Sequence, residues 1–226
     1  MAVLRSLAFY LLFYSASVIF VLSAVVALVF PPRISRKVPD AWARSHRWCL
    51  VNVLGIAVKQ EGAPAAGPAL YALKHESMFE AIEAPVLFHR PATFAKAELF
   101  AIPGWGRAAR AYGVIPVARN QGAKALRTMI GDARRFAGEG RPLVIFPEGT
   151  RVLHGEVAPL RSGFAGLYKM LGLPVIPVAI DSGRIYRGTW KRRGTITIRF
   201  GEPIPPGLPR EEIEARVLRA INSLND

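Results

Sequence analysis

The sequence predicts an α/β layered domain, its largely parallel sheet flanked by helices, preceded by an N-terminal membrane-embedded helical segment. Three observations carry this reading. One uncharged run near the start is long enough to enter a bilayer. Beyond it, short apolar runs alternate with helical stretches, the pattern of a sheet built by crossover connections. The chemically distinctive clusters all fall just after those short runs. The attachment segment is assigned to residues 1–60 and the α/β domain to residues 61–226.

Between Leu7 and Phe30 no side chain is charged. As a helix this run reaches about 36 Å at ~1.5 Å per residue, against a hydrocarbon core of roughly 30 Å. Pro31 and Pro32 end it, since proline brings no N–H to a helix. A cleaved secretory signal is the rival reading. The run is long for one, and no small-x-small cleavage site precedes a polar start. Arg5 stands alone before the run, while Arg33, Arg36, Lys37, Arg44 and Arg47 follow it. That bias places the rest of the chain on the cytoplasmic side of the inner (cytoplasmic) membrane. A second helix is expected over residues 40–56, with Trp42, Trp48, Arg44 and Arg47 crowded into its first half. This suits either a headgroup-layer helix or one that packs on the domain. Two such helices also allow a hairpin embedded from one side, so full span and one-leaflet insertion both stay open. The α/β domain's own strand and helix candidates all lie beyond Gly62, so residues 1–37 are expected to be removable without unfolding it.

In the domain, strands are expected at 69–73, 93–95, 114–117, 143–146, 175–180 and 195–200. Helices are expected at 78–88, 104–111, 121–137, 164–171 and 210–224. In open α/β sheets, ligands bind beyond the carboxyl ends of the strands. Lys74-His75 follows the first strand, Lys96-Ala97-Glu98 the second, and Pro147-Glu148-Gly149-Thr150-Arg151 the fourth.

Composition narrows the partners. Lys and Arg total 30 against 16 Asp and Glu, giving a formal charge of +14. That excess predicts an anionic partner: nucleic acid, an anionic membrane face or an acidic carrier. The basic residues are scattered without an aromatic-interleaved stripe, which with the anchor argues against nucleic acid. The single cysteine, Cys49, excludes an internal disulfide and reads as a buried small residue, and no Cys/His cluster has zinc-ligand spacing.

His75 ends a strand, and Glu80 lies five residues on. The two meet only if His75 precedes the helix and Glu80 sits in its first turn. A carboxylate there would fix the imidazole tautomer and free the other nitrogen to deprotonate an alcohol. Ser77-x-x-Glu80 also has the spacing of a capping box, so on spacing alone Glu80 reads equally as a cap. Ser77 reads as a cap too, because the G-x-S-x-G nucleophile elbow is missing. In FPEGTR, Gly149 permits a turn with exposed N–H groups and Arg151 offers a planar fork for phosphate oxygens. A solvated surface turn is the bland alternative.

At these residues the chain resembles the glycerolipid acyltransferases that include 1-acyl-sn-glycerol-3-phosphate acyltransferase. Their four blocks look like His75-x4-Glu80, Lys96 through Pro103, Gly106 and Gly113 to Val117, Phe146–Arg151, and Val175–Ala179. Glu80 stands where that family usually has Asp. The resemblance implies transfer of a fatty acyl group from acyl-CoA or acyl carrier protein to the sn-2 hydroxyl of lysophosphatidic acid, giving phosphatidic acid. It implies His75 as general base with Glu80, and Lys96 with loop N–H groups as oxyanion donors. Glu148, Gly149, Thr150 and Arg151 would serve the acceptor, with Arg151 on its phosphate and Glu148 organising the loop. No metal or cofactor is implied. The basic excess, including Arg184, Arg187, Lys191, Arg192 and Arg193, suits membrane phospholipids or an acidic donor. Another lysolipid, glycerol 3-phosphate, a thioesterase-like hydrolysis, or a non-catalytic polybasic membrane-binding protein are the alternative functions.

Overall fold

The computed structural model describes residues 1–117 and 122–225. Its strands are β1 (Ile56–Glu61), β2 (Leu70–Leu73), β3 (Ala92–Lys96), β4 (Ile115–Val117), β5 (Leu143–Ile145), β6 (Val175–Ile180) and β7 (Gly194–Phe200). They form one sheet in the order β1-β7-β6-β2-β5-β3-β4. Every neighbouring pair is parallel except β6 and β7. The carboxyl ends of β6, β2, β5 and β3 therefore emerge side by side along one edge.

The helices are α1 (Ala2–Ala27), α2 (Pro32–Ser35), α3 (Lys37–Cys49), α4 (Phe79–Leu87), α5 (Trp105–Tyr112), α6 (Gly122–Gly138), α7 (Ser162–Leu171), α8 (Gly183–Tyr186) and α9 (Arg210–Ile221). A π-helical turn, Leu50–Leu54, continues α3 to Gly55, and a 3-10 turn, Ala97–Ala101, follows β3. Residue 121, expected to open the third domain helix, lies outside the described residues.

Strand β2 is buried on both faces, as a central parallel strand must be. Its alternation divides the core. Tyr71 and Leu73 point toward α1, α3 and α4, with Phe9, Phe13, Leu50 and Phe79. Leu70 and Ala72 point the other way, toward α6, α7 and α9, with Phe136, Phe164 and Val217.

Two expectations change. Residues 56–60 are expected at the end of the attachment region, with Glu61 opening the α/β domain. Ile56–Glu61 is instead one edge strand, pairing in parallel with β7 from Ile56↔Gly194 to Glu61↔Arg199. The sheet thus starts inside the segment assigned to the anchor. Nor is the N-terminal helix separable. Phe9 and Phe13 are 1% and 2% exposed, stacked on each other and packed against His46, with Phe9 also edge-on to Tyr186. Truncating one such aromatic typically costs about 3–5 kcal/mol, so removing α1 opens the core.

Helix α1 remains long and apolar enough to cross a bilayer by length and composition. Yet it is tied to the domain near both ends. Ser6 Oγ accepts from Lys191 N–H at 2.9 Å and the Tyr10 hydroxyl donates to Thr189 C=O. Further along, Trp42 Nε1 donates to Ser17 Oγ at 2.9 Å, and Val21 and Val25 lie beside Gly104. The helix lies across the domain, with Leu7, Leu11, Leu22 and Val26 turned outward. Of the two readings of the second helix, Trp42 follows the packing one and stacks on Phe13, while Trp48 stays 58% exposed.

Candidate active site

His75 directly follows β2, and its backbone is held by the loop after β5. Its N–H donates to Glu148 Oε2 at 3.0 Å, and its C=O accepts from Val152 N–H at 2.8 Å. The imidazole stacks on Phe146, with ring centroids 4.3 Å apart and planes at 29°. Nδ1 lies 3.1 Å from Glu80 Oε2.

Glu80 is fully buried in the first turn of α4. The oxygen that faces His75 also accepts from Ser77 N–H at 3.0 Å. The other, Oε1, accepts from the hydroxyls of Ser182 and, at 3.4 Å, Ser77. Ser77 Oγ in turn accepts from Phe79 N–H at 3.0 Å. The capping pair and the His–carboxylate pair are therefore not alternatives, because one carboxylate makes both. A carboxylate opposite Nδ1 accepts a proton bond there, which leaves Nε2 as the basic nitrogen. Nε2 has no hydrogen-bond partner among the described residues.

Below His75 lies a buried ion pair. Lys74 Nζ donates to Glu148 Oε1 at 2.7 Å, to Asn222 Oδ1 at 2.7 Å and to Glu156 C=O at 3.1 Å. All three ammonium donors are thus satisfied, as burial of a charge demands. Glu76 is buried as well. It accepts from Gly183 N–H at 2.7 Å on one oxygen and meets His154 Nδ1 at 3.0 Å on the other. Burial pushes its carboxyl above the usual range, against the pull of the Gly183 N–H and of His154.

A cavity of about 1260 Å³ opens over this group. Much of its lining is apolar, including Phe20 and Val21 of α1, Trp42, Phe94, Met129 and Leu167. Its lining also holds His75, Lys96, Arg151, Arg161 and Arg187 and, among the described residues, no carboxylate. None of these four cations has a carboxylate partner among the described residues. Gly149 and Thr150 line it too; Gly149 takes φ 67°, the left-handed region that favours glycine. The turn after Lys96 needs glycine at Gly106, where a Cβ would come within 2.0 Å of Phe100 C=O.

The chain matches the acyltransferase family model over residues 55–181. It belongs to the acyltransferase family. The acyltransferase is 29% identical to a 1-acyl-sn-glycerol-3-phosphate acyltransferase of Pseudomonas aeruginosa, across 98% of this chain and 86% of that one. A relative of the same name from Helicobacter pylori is 31% identical, over 64% of this chain and 63% of its own. Among solved structures, a 1-acyl-sn-glycerophosphate (LPA) acyltransferase from Thermotoga maritima shares the fold at a TM-score of 0.76. That structure is 22% identical, covering 99% and 98% of the two chains.

In this acyltransferase the expected site residues converge, with one departure. His75 and Glu80 meet, and Lys96, Gly149, Thr150 and Arg151 line the same cavity. Glu148 does not line it; it is 1% exposed, with both oxygens used by Lys74 and His75. Four participants were not assigned to the site from the sequence. Ser182 reaches Glu80 from the end of β6, His154 reaches Glu76, Arg161 lines the cavity, and Arg187, read only as part of the basic excess, reaches it from beyond α8. Each lies outside the motifs, so no local pattern places it at the site.

Proposed function

We propose that this enzyme is a 1-acylglycerol-3-phosphate O-acyltransferase in which His75 is the general base. The observation that carries the reading is the His75–Glu80 pair, set where an apolar cavity meets four unpaired cations. A pocket lined by both apolar side chains and cations suits a substrate that is half hydrocarbon and half phosphate. The names of the relatives point to the same acceptor.

The acyl donor is acyl-CoA or acyl carrier protein. Nε2 of His75 takes the proton from the sn-2 hydroxyl as its oxygen attacks the thioester carbonyl. Glu80 stabilises the imidazolium that forms, while the buried hydroxyls of Ser77 and Ser182 hold the carboxylate in place. Charge develops on the carbonyl oxygen, and Lys96 is the cation available to it. Of the loop N–H groups, that of Gly149 is already engaged by Phe146 C=O at 3.0 Å. Collapse expels the thiolate, which recovers the proton from His75, leaving phosphatidate and a free thiol. The protein's own groups complete the cycle, with no cofactor or metal. Arg151 holds the acceptor phosphate as a planar fork. Glu148 acts at one remove, fixing the His75 backbone while Lys74 compensates its charge.

The acyltransferase works at the cytoplasmic face of the membrane, in contact with its phospholipids. With α1 fastened to the domain near both ends, its outward face enters one leaflet rather than crossing the bilayer. Substrate then reaches the cavity from the lipid, since α1 supplies part of the cavity wall.

The test is thiol release from acyl-CoA with and without lysophosphatidic acid. The reading expects release that depends on the acceptor and matches phosphatidate formed. Release without acceptor would instead identify a hydrolase, and transfer only to a phosphate-free lysolipid would remove the acceptor assignment.

A further inference from the structure

Arg187 lies beyond the residues matched by the family model, yet it lines the same cavity as His75. Its Nη1 donates to the C=O of Glu76 at 3.3 Å, one residue from His75. Val152, the residue after Arg151, donates its N–H to the C=O of His75 at 2.8 Å. Two guanidinium-bearing segments therefore hang on consecutive carbonyls of one short backbone stretch. The Glu76 side chain ties them further, meeting His154 of the Arg151 loop and the N–H of Gly183, which opens α8.

The backbone around Arg187 is rigidly held. Lys191 is 8% exposed, and its Nζ donates to the C=O groups of Tyr186 and Gly188, the residues on either side of Arg187. The same ammonium lies over the Tyr186 ring, 4.4 Å from its centroid. The Lys191 N–H and the Thr189 C=O are each fastened to α1, through Ser6 and Tyr10. A buried lysine is costly unless its donors are satisfied, and here it satisfies them on the peptides flanking an exposed arginine.

We propose that Arg187 is a second phosphate-binding side chain of this cavity, acting with Arg151 on a phosphate presented to His75. The proposal rests on the reading of the site as an acyltransferase centre with a phosphate-bearing substrate. A phosphate monoester carries close to two negative charges at neutral pH, more than one guanidinium offsets. The lining supplies further cations and, among the described residues, no carboxylate. Two substrates of this enzyme carry phosphate: the acceptor headgroup, and the phosphopantetheine arm shared by both acyl donors.

The experiment measures KM for lysophosphatidic acid and for acyl-CoA in Arg187→Ala and Arg187→Lys, with Arg151→Ala in parallel. Thermal melting within about 2 °C of wild type confirms that the exposed side chain is not structural. Loss of one charge-assisted contact predicts a rise of about tenfold in a single KM, with Arg187→Lys recovering part of it. A rise confined to lysophosphatidic acid assigns the acceptor phosphate. A rise confined to acyl-CoA assigns the donor phosphate. Unchanged KM values, a fall in kcat alone, or Arg187→Lys no better than alanine would overturn the proposal. If Arg151→Ala still raises the acceptor KM in that case, only this inference falls. A wild-type enzyme that leaves lysophosphatidic acid unacylated overturns the reading beneath both.

Discussion

Replacing Glu80 by glutamine separates its two structural duties. In the native protein Oε2 accepts from Ser77 N–H at 3.0 Å and faces His75 Nδ1 at 3.1 Å, while Oε1 meets the two serine hydroxyls. A glutamine carbonyl placed at Oε2 keeps the first two bonds. Its amide then faces Ser77 and Ser182, whose hydroxyls can accept as well as donate. The reverse orientation would set the amide against the Ser77 N–H, donor against donor, so the backbone selects the orientation that preserves the imidazole tautomer. Folding should therefore lose only about 1 kcal/mol, a melting shift of about 2–4 °C. What disappears is the negative charge opposite the imidazolium. A hydrogen bond to a charged group is worth about 1.5–3 kcal/mol, which predicts a fall in kcat of about 10- to 150-fold. Glu80→Asp keeps the charge and should retain more of the activity. The assay is thiol release at saturating acyl-CoA and lysophosphatidic acid, with calorimetry on the same preparations. A glutamine variant with wild-type kcat and a lowered melting temperature would show that Glu80 only caps α4.

Two further perturbations address the frame around the site. Lys74→Met should strand the Glu148 carboxylate, buried with one oxygen facing a removed ammonium, and cost about 3–5 kcal/mol by thermal denaturation; a melting shift below about 3 °C would show the pair is not what fixes this loop. Glu83, fully buried in α4, has its carboxyl pushed up to about 7 by burial, against the pull of its partner Arg47. The folded state therefore holds a proton that the unfolded chain has already lost, and wild-type stability should fall as pH rises from the ordinary glutamate range toward 7. Glu83→Gln should flatten that part of the melting-temperature profile, and an unchanged slope would count against the assignment.

The fold was readable wherever burial is one-sided or complete over several residues. Strand β6 was read at its observed bounds because Val175–Ile180 is buried throughout, so its apolar run is unbroken. Strand β1 escaped because Ile56–Glu61 is an edge strand. Only Ile56 is fully buried, and Lys59 and Glu61 pair on its exposed side. The polarity that keeps such an edge soluble also erases its signal. At the site, residues close in sequence were legible: the five-residue step from His75 to Glu80 carries the reach of a helix turn. Ser77's capping role and the charge on Glu80 could not be separated by spacing, since both use the same carboxylate. Lys74 with Glu148, Glu76 with His154, and Glu80 with Ser182 are brought together by parallel strand order, which a linear pattern does not encode. The attachment segment shows the same limit. Hydropathy marked the apolar length of α1, but not that Phe9 and Phe13 belong to the domain's own core.

The central claim is that His75 removes the proton from the acceptor hydroxyl. The most direct measurement is the turnover of purified His75→Ala with acyl-CoA and lysophosphatidic acid, set beside wild type in the same vesicles. His75 is held by its backbone, through Glu148 and Val152, and those bonds survive the substitution. The variant should therefore fold and attach to membranes, yet lose about 10²- to 10⁴-fold in kcat, the usual contribution of a positioned general base. Turnover within about threefold of wild type from a folded, membrane-attached variant, against that expected loss, would contradict the account.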